Sequence, residues 1–438
     1  MNFSDTLKSY LFSLIDDMDI HHDLYTQNPK TDFSRVKKWS FKKTILFILS
    51  MEGNSLKKEL LKFFDFDPNL PTASSFVQRR SQILPSAFET LFHSFAAFDK
   101  EDKTLYGYRT IAVDGSSIVL PYDPDNKKTL RKTGKSNEYN AAHLNCLFDL
   151  NKRQYMDAMV QPSHERDEHH ALQHMVDKYT GPANTIFIMD RGYECYNSIA
   201  HIEQKGLYYM IRGKDLLSNG IAASVKNQLP REDIFDVNTS FYLSKKKTTN
   251  VKKHPELYKR IRKEQTFDFF TEESPYYQIN IRIVRFPITE TRYETILTNL
   301  PAETVTAEML KELYHMRWGI ETSFRELKYA IGLNAGFHSS NYDFIIQEIW
   351  SKLLLYNFCE MITTKVVISN KPKGKHDYQI NFTHAIFICR RFFLTKKQES
   401  PPDVEKLIQQ ELLPIRAGRS YPRKIKSRSA TNIIYKIY

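Results

Sequence analysis

The 438-residue chain is poor in the residues that break or staple a fold, with 14 glycines, 18 prolines and four cysteines. That scarcity argues against extended disorder and against a repeat array, so a packed globular chain is expected. Cys146, Cys195, Cys359 and Cys389 form no CxxC pair. This excludes a zinc knuckle or a disulfide framework and leaves reduced core thiols as the expectation. Long apolar runs are missing as well. The richest, Thr44 to Leu49, falls far short of the roughly 20 residues that cross a bilayer, and Met1 to Asp23 lacks the basic start and apolar stretch of an export signal. A cytoplasmic protein with no membrane partner is expected. Acids are outnumbered, 51 Asp+Glu against 63 Lys+Arg, and the net charge of +12 favours a polyanionic partner without identifying one. With 41% hydrophobic residues the chain has material for one large domain with appendages, or for two to three ordinary ones.

The first stretch, to about residue 95, reads as helices, because Lys42 to Met51, Leu56 to Phe64 and Ala87 to Phe98 repeat apolar residues at helical spacing. Between them, Thr72 or Ser74 is placed to cap a helix whose next turn presents Gln78, Arg79 and Arg80. Such a helix suits DNA reading as well as it suits a solvated helix end. From Thr110 the pattern turns to strands. Ile111 to Asp114 is a short apolar strand ending in an acid and the turn Gly115-Ser116. Asn140 to Leu150 and Gln154 to Val160 follow as strands, Asp167 to Tyr179 as a helix, and Thr185 to Asp190 as a strand buried on both faces. A helix from Tyr196 to Lys205 and a strand from Leu207 to Ile211 complete the order βββαβαβ.

After Arg212 some eighty residues of weaker periodicity contain Gln278 to Ile283, an alternating strand, and read as an antiparallel insertion. Within it Lys245, Lys246, Lys247, Lys252, Lys253, Lys259, Arg260, Arg262 and Lys263 face a single acid, Glu256. A solvated loop and a phosphate contact both fit such a run. A strand at Glu294 to Thr298 then leads into a long helix, Ala307 to Ile331, and a largely helical remainder from Phe344. The chain ends in a basic tail with Arg416, Arg419, Arg423, Lys424, Lys426, Arg428 and Lys436 and no acid after Glu411.

Two features carry chemistry. Asp114 and Asp190 each close an apolar strand, and strand ends in open α/β sheets project side chains into a crevice; alone, each is as readily a turn former. Tyr314, Arg317, Glu321 and Lys328 lie at offsets of 3, 7 and 14 on one helix. At about 100° per residue they share an arc of about 60°. Beside that arc Leu313, Ile320, Phe324, Leu327 and Ile331 form an apolar stripe. Glu321 is therefore expected to project beside the core, toward the strand ends. An ordinary solvated face with an Arg317–Glu321 pair at i,i+4 explains part of this pattern, but not the match to two upstream aspartates. The cluster His164, Glu165, Asp167, Glu168, His169 and His170 reads as the acidic, exposed start of a helix, since its spacing fits no zinc pattern.

These residues resemble the DDE transposases of the insertion sequence 4 type. The fingerprint of that family is an aspartate after the first strand, another after the fourth, and a helix reading Y-x2-R-x3-E-x6-K. The chain has Val113-Asp-Gly-Ser116, Ile188-Met-Asp-Arg-Gly-Tyr193 and Tyr314 to Lys328 in that order, and the likeness covers about residues 30 to 360. The resemblance implies an α/β fold with an RNase H-like mixed sheet flanked by helices. Its expected parts are a helical DNA-binding region (1–105), a catalytic core in two parts (106–212 and 291–345), a β-strand insertion (213–290) and a helical C-terminal region with the basic tail (346–438). It implies Asp114, Asp190 and Glu321 as catalytic residues and as ligands of Mg²⁺ or Mn²⁺, two ions in all. Hard carboxylate oxygens suit those ions and leave room for phosphate and water. DNA contacts are expected from Tyr314, Arg317, Lys328 and Arg191, and from Arg79 and Arg80 in the N-terminal region. The expected partners are double-stranded DNA, as transposon ends and target, and a second copy of the chain. The resemblance further implies a hairpin intermediate with a flipped base stacked on an aromatic residue of the insertion. No tryptophan lies between Trp39 and Trp318, so Tyr293 is the expected substitute, with Tyr276 and Phe286 as alternatives. A nuclease of the same fold without strand transfer, and a DNA-binding regulator that does not cut, are the competing readings.

Overall fold

The structure is a computed structural model that describes residues 2–35, 37–132, 138–262, 264–366, 377–395 and 399–415. The basic tail from Arg416 to Lys436, and Lys263 of the basic run, lie outside the described residues.

Five helices come first: α1 (Phe3–Ile20), α2 (Phe41–Ser50), α3 (Leu56–Phe63), α4 (Ala73–Arg80) and α5 (Pro85–Ala96). Local chemistry sets their starts. The side chains of Asn2, Ser40 and Thr72 each accept a backbone N–H of the first turn of α1, α2 and α4, and Pro85 opens α5.

The sheet follows, with β1 (Arg109–Leu120), β2 (Leu130–Arg131), β3 (Tyr139–Asp149), β4 (Gln154–Pro162), α6 (Glu168–Lys178), β5 (Thr185–Met189), α7 (Tyr196–Gln204) and β6 (Tyr208–Arg212). Next come the short α8 (Ile221–Ser224), β7 (Phe235–Ser244), α9 (Thr249–Lys253), β8 (Tyr258–Arg260), β9 (Tyr276–Thr289) and β10 (Arg292–Thr298). The motif helix follows as α10 (Ala307–Met316) and α11 (Trp318–Arg325). The chain then forms α12 (Tyr342–Thr363), β11 (Tyr378–Ile380), α13 (Phe382–Leu394), α14 (Val404–Gln410) and β12 (Leu412–Pro414), with β11 and β12 paired as a small separate sheet.

Ten strands make one mixed sheet in the order β2-β3-β1-β5-β6-β10-β9-β7-β8, with β4 also on β3. The first five long strands, β1, β3, β4, β5 and β6, therefore lie as β4-β3-β1-β5-β6. The β3 strand is antiparallel to β1 and β4, while β5 is parallel to both β1 and β6. This is the α/β, RNase H-like order expected from the βββαβαβ pattern. The insertion strands do not form a separate sheet. The β9 strand pairs with β10 and β10 with β6, so β7, β8 and β9 prolong the same sheet.

Alternate residues of the central strands serve two cores. Ala112, Ile186, Ile188 and Met210 face a layer built from the N-terminal helices, the motif helix, α12 and α13. Ile111, Val113, Phe187, Met189 and Ile211 face α6 and α7. The α12 helix is buried almost all round and packs on α5, α2 and β4, so the N- and C-terminal helical regions form one layer. Among the described residues no helix is long and apolar enough to cross a membrane.

Candidate active site

The first correction concerns β1. The expected strand end at Asp114 is absent, because β1 runs on to Leu120 against β3. What ends there is the parallel pairing with β5, whose last register pair is Val113 with Met189. Asp114 and Asp190 are therefore the next residues on two adjacent strands, about 5 Å apart in the pairing direction, where β5 leaves the sheet. Asp190 then caps the single turn Arg191–Tyr193, and its Oδ1 accepts the Arg191 N–H at 2.7 Å.

Glu321 arrives from the other side on α11. The stripe Leu313, Ile320, Phe324, Leu327 and Ile331 is buried as expected, and α11 packs on β1. The expected single helix carries two irregularities. At Arg317 the turns tighten, with Arg317 N–H donating to Tyr314 O at 3.1 Å and Ile320 N–H to Arg317 O at 3.2 Å. From Glu326 to Ala330 they widen, and Ile331 N–H donates to Glu326 O at 2.9 Å. Wide turns of this kind recur at functional sites. Gly319 lets α11 approach the sheet closely, since a Cβ there would lie 2.9 Å from Leu150 Cδ2.

Arg317 joins the acids. Its Nη2 donates to Glu321 Oε1 at 2.6 Å and its Nη1 stands 3.7 Å from Asp114 Oδ2, with the side chain almost wholly buried. Burial raises the Asp114 carboxyl to about 6; the nearby Glu321 and Glu168 carboxylates add to this, while the Gly115 N–H and Arg317 oppose it. Tyr314 is buried, with its hydroxyl unpartnered among the described residues, and desolvation followed by the nearby Asp190 and Glu294 holds that hydroxyl protonated. Lys328 Nζ donates to Ser116 Oγ at 2.5 Å and to Ser117 O at 2.9 Å on β1. The polar arc therefore meets β1 at Arg317 and Lys328, while Tyr314 lies near Asp190, Arg212 and Glu294.

Among the described residues no three His, Cys, Asp or Glu side chains stand close enough to hold a metal ion. The physical reason is visible, since a guanidinium already occupies the space between Asp114 and Glu321 and balances them. The donor set nonetheless suits a hard divalent cation. It consists of carboxylates, and burial first, with the nearby Glu321 and Glu168 after it, raises the Asp114 carboxyl, an effect a cation would relieve.

The other expected DNA contacts divide. Arg191 is exposed beside Asp190, and Tyr293 is half-buried with the Arg285 guanidinium 4.7 Å from its ring centre. Arg79 is half-buried, bonds Gln82 at 2.9 Å and lies over Phe33. Arg80 is a correction. It is 1% exposed, with Nε on Gln347 at 2.8 Å, Nη1 on Glu348 at 2.9 Å and Nη2 on Phe344 O at 2.6 Å. It ties α4 to α12 and has no face for DNA. Phe286 is buried, with Lys311 over its ring and Glu294 as its register partner on β10, and Tyr276 lies at the far end of β9.

Sequence reasoning missed several neighbours of the site. Glu294 on β10 pairs with Arg212 at 2.9 Å and is held above its ordinary range, by burial first and by Asp190 after it. Only the β6–β10 pairing brings these two together, so spacing offered no signal. His143, buried on β3, stands 2.8 Å from Glu168 Oε1, and both press on Gly115, where a Cβ would lie 2.2 Å from His143 Nε2. Glu168 was expected to be an exposed helix-start acid; it does start α6, but it turns toward Asp114. Trp318, next to Arg317, is 58% exposed and lies off the polar arc, which is why the arc did not select it.

The family model described as Transposase DDE domain matches residues 105–358. The transposase InsG for insertion sequence element IS4 of Escherichia coli is 29% identical over 125 residues, 27% of this chain and 28% of that protein, so the match spans little more than a quarter of the relative. The cryo-EM structure of a piggyBac transposase synaptic complex with hairpin DNA superposes with a TM-score of 0.45 at 11% identity, over 95% of this chain and 87% of that one.

Proposed function

The chain belongs to the family that carries a transposase DDE domain, and on that premise we propose that it is a cut-and-paste transposase of the insertion sequence 4 type. In this reading it binds the terminal inverted repeats of its element, cleaves DNA there with divalent metal ions, and joins the freed ends to target DNA. The observation that supports this best is the convergence on Arg317: Glu321 and Asp114 lie within 2.6 and 3.7 Å of one guanidinium, with Asp190 on the strand beside Asp114.

Asp114, Asp190 and Glu321 would hold Mg²⁺ or Mn²⁺, two ions in the full site. When bound, such ions supply charge stabilisation for the scissile phosphate and a more acidic water or 3′-hydroxyl. The protein residues do the rest. Arg317 holds Glu321 and balances Asp114 until DNA arrives, and then turns its planar fork to a backbone phosphate. Lys328, anchored on Ser116 and Ser117, adds a point charge at the same site. The Tyr314 hydroxyl, buried and unpartnered, offers its proton to a phosphate oxygen, and Arg191 stands exposed next to Asp190 for the same purpose. Tyr293, on the β10 strand that also carries Glu294, is the aromatic assigned to a flipped base. Two ends must be held at once, so a dimer on DNA is part of the proposal.

The test is Glu321→Gln, which keeps size and polarity but removes a ligand. Binding to the element's own end sequence should persist, while Mg²⁺-dependent cleavage should fall by roughly 100-fold or more, because several kcal/mol of charge stabilisation depend on that ligand. Unchanged cleavage would remove the assignment. Pre-cut ends should be joined to a target plasmid by the native chain; hydrolysis with no joined product would mark a nuclease instead.

A further inference from the structure

The far edge of the sheet carries a surface that the proposed chemistry does not use. Tyr242 on β7 is paired with Tyr258 on β8, and their rings stack at 5.5 Å; Tyr276 on β9 meets Tyr258 at 5.3 Å. Partners in register share a face of the sheet, so Ser240, Gln278 and Asn280 continue the same surface. Gln278 bonds both Ser240 and Asn280; Tyr242 is 37% exposed, while Tyr258 and Tyr276 are half-buried. The opposite face is ordinary core, with Phe241, Leu243, Ile279 and Ile281 buried against the α7 side. The outer face is thus an open floor of rings, amides and hydroxyls rather than an apolar patch seeking a core.

The stretch beside this face is basic. Lys245 to Arg262 holds eight basic residues against Glu256 alone, and β8 with the short α9 lies within it, with Lys245 turned to Phe270 and Lys259 alternating with Tyr258 onto the other face. Rings that accept stacking, beside a lysine-rich stretch, match the chemistry of an unpaired nucleic-acid strand: bases stack on tyrosine while phosphates meet the cations. A duplex offers phosphates to the lysines but hides the base faces, so the exposed Tyr242 ring favours the unpaired form.

The position separates this surface from the proposed catalytic site. Tyr242 lies four strands from β5, and the register places it six residues down the sheet from the level of Arg212. At the usual spacings that is roughly 30 Å, a span of about eight or nine base pairs. It is too far for the base at the scissile phosphate, and suited to DNA that runs on beyond the cut.

We propose that the Tyr242–Tyr258–Tyr276 face is a second DNA-binding surface, which takes an unpaired stretch of strand distant from the cleavage site. The inference rests on the proposed function only in taking DNA as the polyanion. The test is fluorescence anisotropy of the full chain with a short labelled oligothymidylate and with a duplex of equal length and unrelated sequence. The oligothymidylate should bind the more tightly of the two. The double variant Tyr242→Ala, Tyr258→Ala should weaken oligothymidylate binding at least about tenfold, since each stacked base contributes of order 1–3 kcal/mol, with the salt dependence kept. The corresponding double Phe variant should bind within about twofold of the native chain by the same stacking argument, which separates stacking from folding. Equal affinity of the Ala variant and the native chain, or preference for the duplex, overturns the surface. Mg²⁺-dependent cleavage of the element's ends, measured on the same preparations, reports separately on the transposase reading, so loss of either result leaves the other standing.

Discussion

In the proposed site Arg317 would compete with a cation for the same carboxylates, because its two nitrogens already face Glu321 and Asp114. Replacing it by alanine removes that competitor and leaves two acids facing each other. A unit charge about 4 Å away is worth a few kcal/mol at the effective dielectric of a protein site, so Arg317→Ala should tighten Mg²⁺ binding roughly tenfold or more while lowering cleavage. Calorimetric titration reads the first effect; a looser or unchanged Mg²⁺ affinity would mean that the carboxylates do not converge on a cation. Arg80 makes a contrasting case on the same polypeptide. Its loss strands Glu348 inside α12, so Arg80→Ala should cost about 3–5 kcal/mol in urea unfolding, whereas Arg79→Ala should cost well under about 1 kcal/mol. Loss of DNA affinity at full stability in Arg80→Ala would restore the recognition-helix reading. The difference between the neighbours was not legible in the sequence, since Gln347 and Glu348 lie more than 260 positions away. The four-residue arc of the motif helix was legible, because 3.6-residue periodicity is a local property.

At the scale of elements, α12 couples charge to folding. Lys352 is fully enclosed and donates to Met51 O; burial first, and Arg390 second, lower its ammonium from 10.5 to about 7. The unfolded chain therefore holds a proton there between pH 7 and 10.5 that the folded chain releases, and folding stability should rise with pH across that window. Glu348 works in the same sense at the acid end. Arg80 and His338 draw its carboxyl from 4.5 down to about 2 against the cost of burial, so its stabilising charge is present above pH 4.5 and lost as pH falls toward 2. Lys352→Met should flatten the alkaline rise in thermal midpoint and leave the acid limb in place; an equally steep rise in the variant would disprove the assignment. Gly115 links two other elements. A methyl group there meets His143 on β3 and Glu168 of α6, so Gly115→Ala should destabilise by about 1–3 kcal/mol, and His143→Ala in the same chain should recover part of that in a double-mutant cycle. The helices and strands around these contacts were readable from caps and alternation. The passage of β1 beyond Asp114 was not, because Ser116 to Leu120 owe their strand state to pairing with β3.

For the whole molecule, the excess of basic residues, 63 against 51 acidic, would set how DNA is held under the proposed function. Affinity should fall steeply with salt, by roughly 0.9 log units per tenfold change for each phosphate contacted. Replacing Lys245, Lys246 and Lys247 by glutamine should reduce that slope by about two to three if all three touch phosphate. An unchanged slope would return that run to a solvated loop. The sequence by itself determined the βββαβαβ order, the two aspartates that follow apolar strand segments, and the arc that carries Glu321, since propensity and periodicity act over a few residues. Only the tertiary structure decided that the insertion strands extend the same sheet, that Arg80 is buried while Arg191 is exposed, and that Glu294, His143 and Glu168 crowd the acids. Strand pairing and burial join residues from opposite ends of the chain, and no local pattern encodes which distant side chain will share a space.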